Sequence, residues 1–447
     1  MTHQGTESDA DQHSAGLRRS RLLPWLVAAG VVMAIYLTSP NFRWQPGPDA
    51  TPYAGDFVHD WLGAYVLEYG ERDRFYDVEY AQQLQHDPEV LGYQWNVQKY
   101  YPLVYPPFYY PIIRPLAWLP YREAAWIWGL GMVSCLFAAV ALLHRHARTV
   151  WSDRTDRSNK LVWLPWMLSA ALLYMPVVES LSSSQKATVC LLILTATFLL
   201  LRADKKLLAG MVFGLMAFKP QLALVIGLAM LWKCQWRFVW GATATLTAFC
   251  CLSLSLGTGV CVDYWKFSTG AGKYIQTAGY DLTHSHCLYG FFTLLMRNYE
   301  LWRAQVATVL IGCVILGLLV RLLRGPLQTN SRRFDLQYAG LVVATVLLSP
   351  HLFTYDLSLL LIPIFLIAGE WWSRRPAGGA ALAAYAIALY VMPKFSMLVA
   401  AQTGTQISVL LLCGLLVALA RGLKSCSEPM ALATRPVRRD FSIKVGR

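Results

Sequence analysis

The sequence predicts an all-α polytopic membrane protein, and three observations carry that reading. The 447 residues are 56% hydrophobic and only 15% charged, with a mean hydropathy of +0.39. The apolar runs are too many and too long for a buried soluble core. The basic residues fall between those runs and form no patch interleaved with exposed aromatics, so the net charge of +13 reads as a topology signal. Membrane lipids are expected as partners and nucleic acid is not.

In chain order, residues 1–17 are polar and expected to be a disordered cytoplasmic N-terminus. Arg18, Arg19 and Arg21 precede an apolar segment at 22–38 that lacks a small-residue cleavage site, so it reads as an uncleaved first span. Further apolar segments follow near 123–143, 161–178, 185–201, 207–217, 220–232, 238–256, 304–323, 336–348, 355–369, 379–393 and 405–420. That makes about twelve transmembrane or partial helices. The pairs 207–217/220–232 and 336–348/355–369 are shorter than the roughly 20 residues of a full crossing, which makes them tilted partial helices or re-entrant hairpins. The membrane domain runs over 18–420, and 421–447 is a basic cytoplasmic tail.

Charge supports this order. Cytoplasmic segments collect Lys and Arg, and alternate segments starting from the N-terminus hold 26 of the 39 basic residues. Both termini are then inside, and 40–122, 179–184, 257–303, 349–354 and 394–404 are outside. The first outer loop, 40–122, is far longer than a connector needs. It holds ten of the 26 acidic residues.

The polar constellations fall on that outer side. Asp56 and Asp60, in Ala-Gly-Asp-Phe-Val-His-Asp-Trp (54–61), are four residues apart and would share a helix face. Carboxylates close to a membrane are costly to desolvate and are functional candidates; Asp56 could equally be the N-cap of the amphipathic run that follows. The stretch 100–111 is broken by prolines, and its tyrosines, Tyr105 among them, form either an interfacial belt or a wall that stacks on sugar. Phe-Lys-Pro-Gln (218–221) interrupts an apolar stretch. Lys219 there either snorkels or meets an anion such as a lipid phosphate. Ser-Pro-His-Leu-Phe-Thr-Tyr-Asp (349–356) repeats the pattern and places His351 with Asp356 at a helix break.

Of ten cysteines, only Cys261 and Cys287 share an outer loop, where a disulfide is possible. His284 and His286 form an H-x-H pair without a third ligand type, and no metal site is expected.

The order of Asp-Phe after the first span, Phe-Tyr-Asp (75–77), Tyr-Pro-Pro (105–107), Lys-Pro (219–220) and Ser349 to Asp356 resembles glycosyltransferase family 87 over about residues 20–420. That resemblance implies an integral-membrane enzyme of the GT-C fold that uses polyprenyl-phosphate sugars, mannose in the characterised cases, in cell-envelope glycan biosynthesis at the plasma membrane. It implies a catalytic aspartate in the first outer loop, which maps onto Asp56 with Asp60 as second choice. Lys219, Gln221, His351, Asp356, Tyr105 and Gln185 are the expected donor contacts. Members often carry Gly-Gln before the fourth span, where this chain has Ser184-Gln185 followed by Lys186.

A lipid-phosphate sugar already carries a good leaving group. A carboxylate base for the acceptor hydroxyl and a basic clamp for the phosphate therefore suffice, with inversion at the anomeric carbon and no cofactor. The expected activity is transfer of a hexose from a polyprenyl-phosphate donor to a lipid or glycan acceptor on the extracytoplasmic face. The alternative is a lipid-linked sugar flippase or transporter, although no internal repeat of the transporter kind is visible.

Overall fold

The computed structural model describes residues 23–43, 47, 50–97, 99–151, 163–277, 281–374 and 379–425. Residues 1–17, 152–160 of the charged loop and 426–447 of the basic tail lie outside the described residues. Helix α1 (Leu23–Thr38) leads into four short helices within 40–122: α2 (Phe57–Tyr69), α3 (Val78–His86), α4 (Pro88–Leu91) and α5 (Tyr109–Ile113). The chain continues through α6 (Tyr121–Trp151), α7 (Trp163–Leu173), α8 (Met175–Ser182), α9 (Ala187–Arg202), α10 (Lys206–Gly214), α11 (Pro220–Trp232) and α12 (Trp236–Leu254). It ends with α13 (Thr258–Thr277), α14 (Leu288–Leu295), α15 (Leu301–Leu322), α16 (Arg332–Leu348), α17 (Leu361–Arg374), α18 (Gly379–Thr403) and α19 (Ile407–Ser425).

The described residues are all-helical, apart from an isolated bridge between Ser285 and Phe353. Among the described residues four helices are long and apolar enough to cross a membrane, within α6, α12, α15 and α18, and five if the bent pair α7–α8 is one span. The expected count of about twelve included partial helices, and these lengths alone do not test it. The other apolar helices run only 10–17 residues, below the length of a full crossing. The stretch 257–303 contains α13 and α14, and α18 passes through Pro393 to cover most of 394–404.

Helix α16 sits at the centre. Its residues from Phe334 to Leu347 are all buried, as expected of a helix apolar on every side, and α11, α15, α17 and α19 pack around it. Helices α10 and α12 pack backbone against backbone. A Cβ on Gly210 would lie 1.9 Å from Phe238 O, and one on Gly241 would lie 2.0 Å from Leu207 O. Small residues on both faces let these backbones approach.

Three breaks interrupt the bundle, and proline chemistry explains each. Tyr174 is extended (φ −68°, ψ 116°) ahead of Pro176 in the first turn of α8, and α7 and α8 meet at 73°. Lys219 leaves the helical region (φ −130°, ψ 67°) because Pro220 follows it, while Pro220 itself is well placed as the first residue of α11. Ser349, ahead of Pro350, is extended in the same way at the end of α16. The chain then re-enters as a 3-10 turn, Thr354–Leu360.

Candidate functional site

Helix α2, the loop between α8 and α9, and the breaks at Lys219 and Ser349 meet at one end of the bundle, where α8 and α9 both pack on the Thr354–Leu360 turn. The meeting is fixed by two turns in the left-handed region. Ala54 and Gly55 both have φ +59°, and Ser184 has φ +53°. For the two non-glycine residues this costs on the order of 1 kcal/mol each. The turns hold one another: Asp56 N–H donates to Ser183 O at 3.3 Å, and Asn41 Nδ2 donates to Ser182 O at 3.1 Å. A Cβ on Gly55 would lie 3.2 Å from Ser183 O, so the contact needs glycine in space as well as in φ.

Asp56 occupies the N-cap position of α2, yet its side chain makes no capping hydrogen bond. The carboxylate accepts instead from Gln185 Nε2. It is half-buried, and burial raises its pKa above the ordinary 3.8 while the Lys186 and Lys219 charges and the Gln185 amide oppose the rise.

One turn along α2, Asp60 is fully buried and pairs through Oδ2 with Lys186 Nζ at 2.6 Å. Burial pushes Asp60 up to about 6, against the pull of the Lys186 ammonium. Lys186, 1% exposed, is roofed by aromatic rings, with Nζ 4.4 Å from the Tyr105 ring centre, 5.8 Å from Trp128 and 5.9 Å from Tyr109. His59 Nε2 lies 3.5 Å from Asp60 Oδ1, and burial holds the imidazole pKa well below its ordinary value.

A second buried pair joins the breaks at Lys219 and after Ser349: Lys219 Nζ donates to Asp356 Oδ1 at 2.8 Å, with the Tyr355 ring centre 5.1 Å from the ammonium. Phe218 links the two pairs, its ring 6.2 Å from Tyr105 and 6.1 Å from Tyr109. His351 is half-buried beside Phe353; burial lowers its pKa, and the Asp356 charge acts against that. Gln221 is half-buried in the first turn of α11 and makes no hydrogen bond to either pair.

Asp56, Asp60, Tyr105, Gln185, Lys219 and Asp356 are thus brought together, with His351 near the second pair and Gln221 to one side. Lys186, His59, Tyr109 and Trp128 complete the site and were not singled out as site residues from sequence. Lys186 had a readable signal, since like Lys219 it precedes an apolar helix at a break. Cys261 and Cys287 are both free thiols. His284 and His286 do not converge: the first faces Glu179 at 3.7 Å, and the second meets Ser408 Oγ at 2.7 Å and Thr354 Oγ1 at 3.2 Å.

Two buried ammonium–carboxylate pairs and one partly buried carboxylate, set among aromatic rings, can hold an anionic group and accept a proton. The profile of glycosyltransferase family 87 matches residues 103–350. No curated protein and no solved structure matches the chain. The matched span takes in Tyr105, Gln185, Lys186, Lys219 and Gln221 and stops short of His351 and Asp356.

Proposed function

Because the chain belongs to glycosyltransferase family 87 and is a membrane glycosyltransferase, we propose that it transfers a hexose, mannose first, from a polyprenyl-phosphate donor to a lipid or glycan acceptor. The reaction takes place on the extracytoplasmic face of the plasma membrane, within the domain 18–420. The observation that carries this reading is the state of Asp56. Asp60 and Asp356 each neutralise a lysine, whereas Asp56 is held by the uncharged amide of Gln185 and is only partly buried. It is the carboxylate of the three that is open to a substrate.

In the proposed step the acceptor hydroxyl oxygen attacks the anomeric carbon and gives its proton to Asp56. The bond from that carbon to the phosphate oxygen breaks, and polyprenyl phosphate leaves. Attack opposite the leaving group inverts the centre in one displacement. Charge builds on the leaving phosphate, where an ammonium stabilises it most. Lys219 is the better placed of the two lysines, since Lys186 is enclosed by the Tyr105, Tyr109 and Trp128 rings whereas Lys219 has one ring, Tyr355, beside it. Asp356 orients Lys219, His351 lies beside it, and Tyr105 walls the space between the pairs.

The test is release of free polyprenyl phosphate from a labelled polyprenyl-phosphate mannose by the purified protein, compared in wild type, Asp56→Asn and Asp60→Asn. Loss of a general base lowers turnover by roughly 10²–10⁴-fold. Asparagine at 56 removes the base and disturbs no capping bond. Turnover by Asp56→Asn, with an Asp60→Asn that stays folded and binds donor but is dead, would move the base one helical turn. Activity in both variants would sink the base assignment, and donor crossing the bilayer without lipid phosphate release would favour a flippase.

A further inference from the structure

The base and the phosphate clamp are supported by different parts of the chain. Asp56 is held from the turn between α8 and α9, through Ser183 O and Gln185. The segment that carries Asp356, and with it Lys219, is held from the loop 281–286. Ser285 bridges to Phe353, His286 N–H donates to Leu352 O at 3.1 Å, and Thr354 Oγ1 donates to His284 O at 3.4 Å.

An ion-pair contact spans the two supports. His284 Nδ1 lies 3.7 Å from Glu179 Oε1, and Glu179 O accepts from Ser183 N–H at 3.0 Å, in the turn that holds Asp56. The separation is beyond hydrogen-bond reach, so charge carries the contact, and imidazole is charged only when protonated. Glu179 Oε2 is buried and accepts no hydrogen bond, and among the described residues no other cation pairs with Glu179.

The neighbours of His284 leave its charge to Glu179. Glu179 raises the imidazole pKa above the ordinary 6.5 against the effect of burial, and Asp281, 3.9 Å from Nε2 and exposed, adds to the rise. The turn Leu282–His284 also packs on α14, which has no charged residue, and on α18, whose one charged residue is the exposed Lys394. Burial pushes His286 down to about 3, and in the 349–356 segment His351 answers to Asp356 and Lys219.

We infer that His284 is a positioning residue for the transfer: protonated, it latches the loop 281–286 to α8 through Glu179 and holds the Lys219–Asp356 clamp in register with Asp56. The assignment rests on the transferase reading given above. A histidine whose pKa is raised on folding adds stability below its ordinary pKa and loses it as pH rises through the raised value. Turnover should follow the same course, giving an alkaline limb.

The test uses the full chain in detergent, from about pH 5 to 9. Lipid phosphate release from labelled polyprenyl-phosphate mannose and the melting temperature are followed in wild type, Glu179→Gln, His284→Gln, His284→Arg and His284→Lys. Wild-type turnover should fall by up to about fivefold on the alkaline side, the scale of a partly exposed ion pair, with a fall in melting temperature over the same range. Glu179→Gln and His284→Gln should show the lower level throughout and lose both steps. At least one of His284→Arg and His284→Lys, which stay charged, should keep the higher level to alkaline pH.

A wild-type profile without the alkaline step would overturn the latch. So would a step of wild-type size in Glu179→Gln or His284→Gln, loss of alkaline activity in both charged variants, or a melting step with no matching step in turnover. Failure of the transferase reading looks different: no lipid phosphate is released at any pH, which removes the positioning role, while a melting step that still needs both residues leaves the ion pair standing.

Discussion

Lys186 Nζ lies 2.6 Å from Asp60 Oδ2, with both side chains almost wholly out of solvent, and the two residues are 126 positions apart in the chain. The pair ties α2, in the first polar segment, to the start of α9. A buried pair of this kind contributes little net stability, but removing one partner strands the other charge. Lys186→Met alone and Asp60→Asn alone should each destabilise the protein by about 3–5 kcal/mol, read as a lower melting temperature in detergent. Lys186→Met with Asp60→Leu should recover most of that loss and none of the activity. Single variants that melt like wild type would show that the pair is solvated.

The pH profile should report Asp56. Burial raises its pKa above 3.8, and a general base works only when deprotonated, so kcat/KM should fall as pH drops through that raised value. Gln185→Leu removes a hydrogen bond that favours the charged carboxylate. The acid limb should therefore move to higher pH in Gln185→Leu. An unmoved limb would separate Asp56 from the titration.

Lys219→Met should weaken binding of the polyprenyl-phosphate donor by roughly 1–3 kcal/mol, the scale of a lost charge-assisted contact. Since this change also strands Asp356, the control is Lys219→Met with Asp356→Leu. That double variant should regain melting temperature and still bind the donor weakly. Restored donor affinity in it would reduce Lys219 to a structural role.

His286 grips the segment that carries His351 and Asp356. It is fully buried, its rings nitrogens meet Ser408 and Thr354, and its backbone N–H donates to Leu352 O at 3.1 Å. His286→Ala should cost about 1–3 kcal/mol through the two side-chain hydrogen bonds lost. Faster amide exchange should follow in 350–356 and not in α10 or α12. Uniform exchange changes would argue against a local grip.

Where α10 meets α12, the obstruction is backbone and cannot swing aside. Gly210→Ala and Gly241→Ala should each destabilise by about 1–3 kcal/mol, as overpacking does, whereas Gly227→Ala, whose nearest contact would be 3.5 Å, should be close to neutral. Equal melting of all three would mean that the two helices separate without cost.

The sequence by itself determined the helical membrane class, because hydropathy and the scarcity of charge act locally along the chain. It also determined two of the helix breaks, since a proline restricts the residue before it wherever the chain goes; this is why Lys219 and the segment after Ser349 were recognisable as polar groups at breaks. The number of full spans was not legible in this way. Apolar runs of 10–17 residues read the same whether they cross, tilt or turn back, and neighbouring helices decide between these.

Only the tertiary structure decided the partners. Asp60 takes Lys186 and Asp356 takes Lys219, across 126 and 137 residues, and sequence spacing carries no information about such distances. The capping bond foreseen as one option for Asp56 is absent because two left-handed turns, at Ala54–Gly55 and Ser184, aim its carboxylate at Gln185 instead. Lys186 looked like a departure from a family pattern in the sequence. Folded, it neutralises the one carboxylate of α2 that is wholly buried, because an unpaired charge at that depth would not be tolerated.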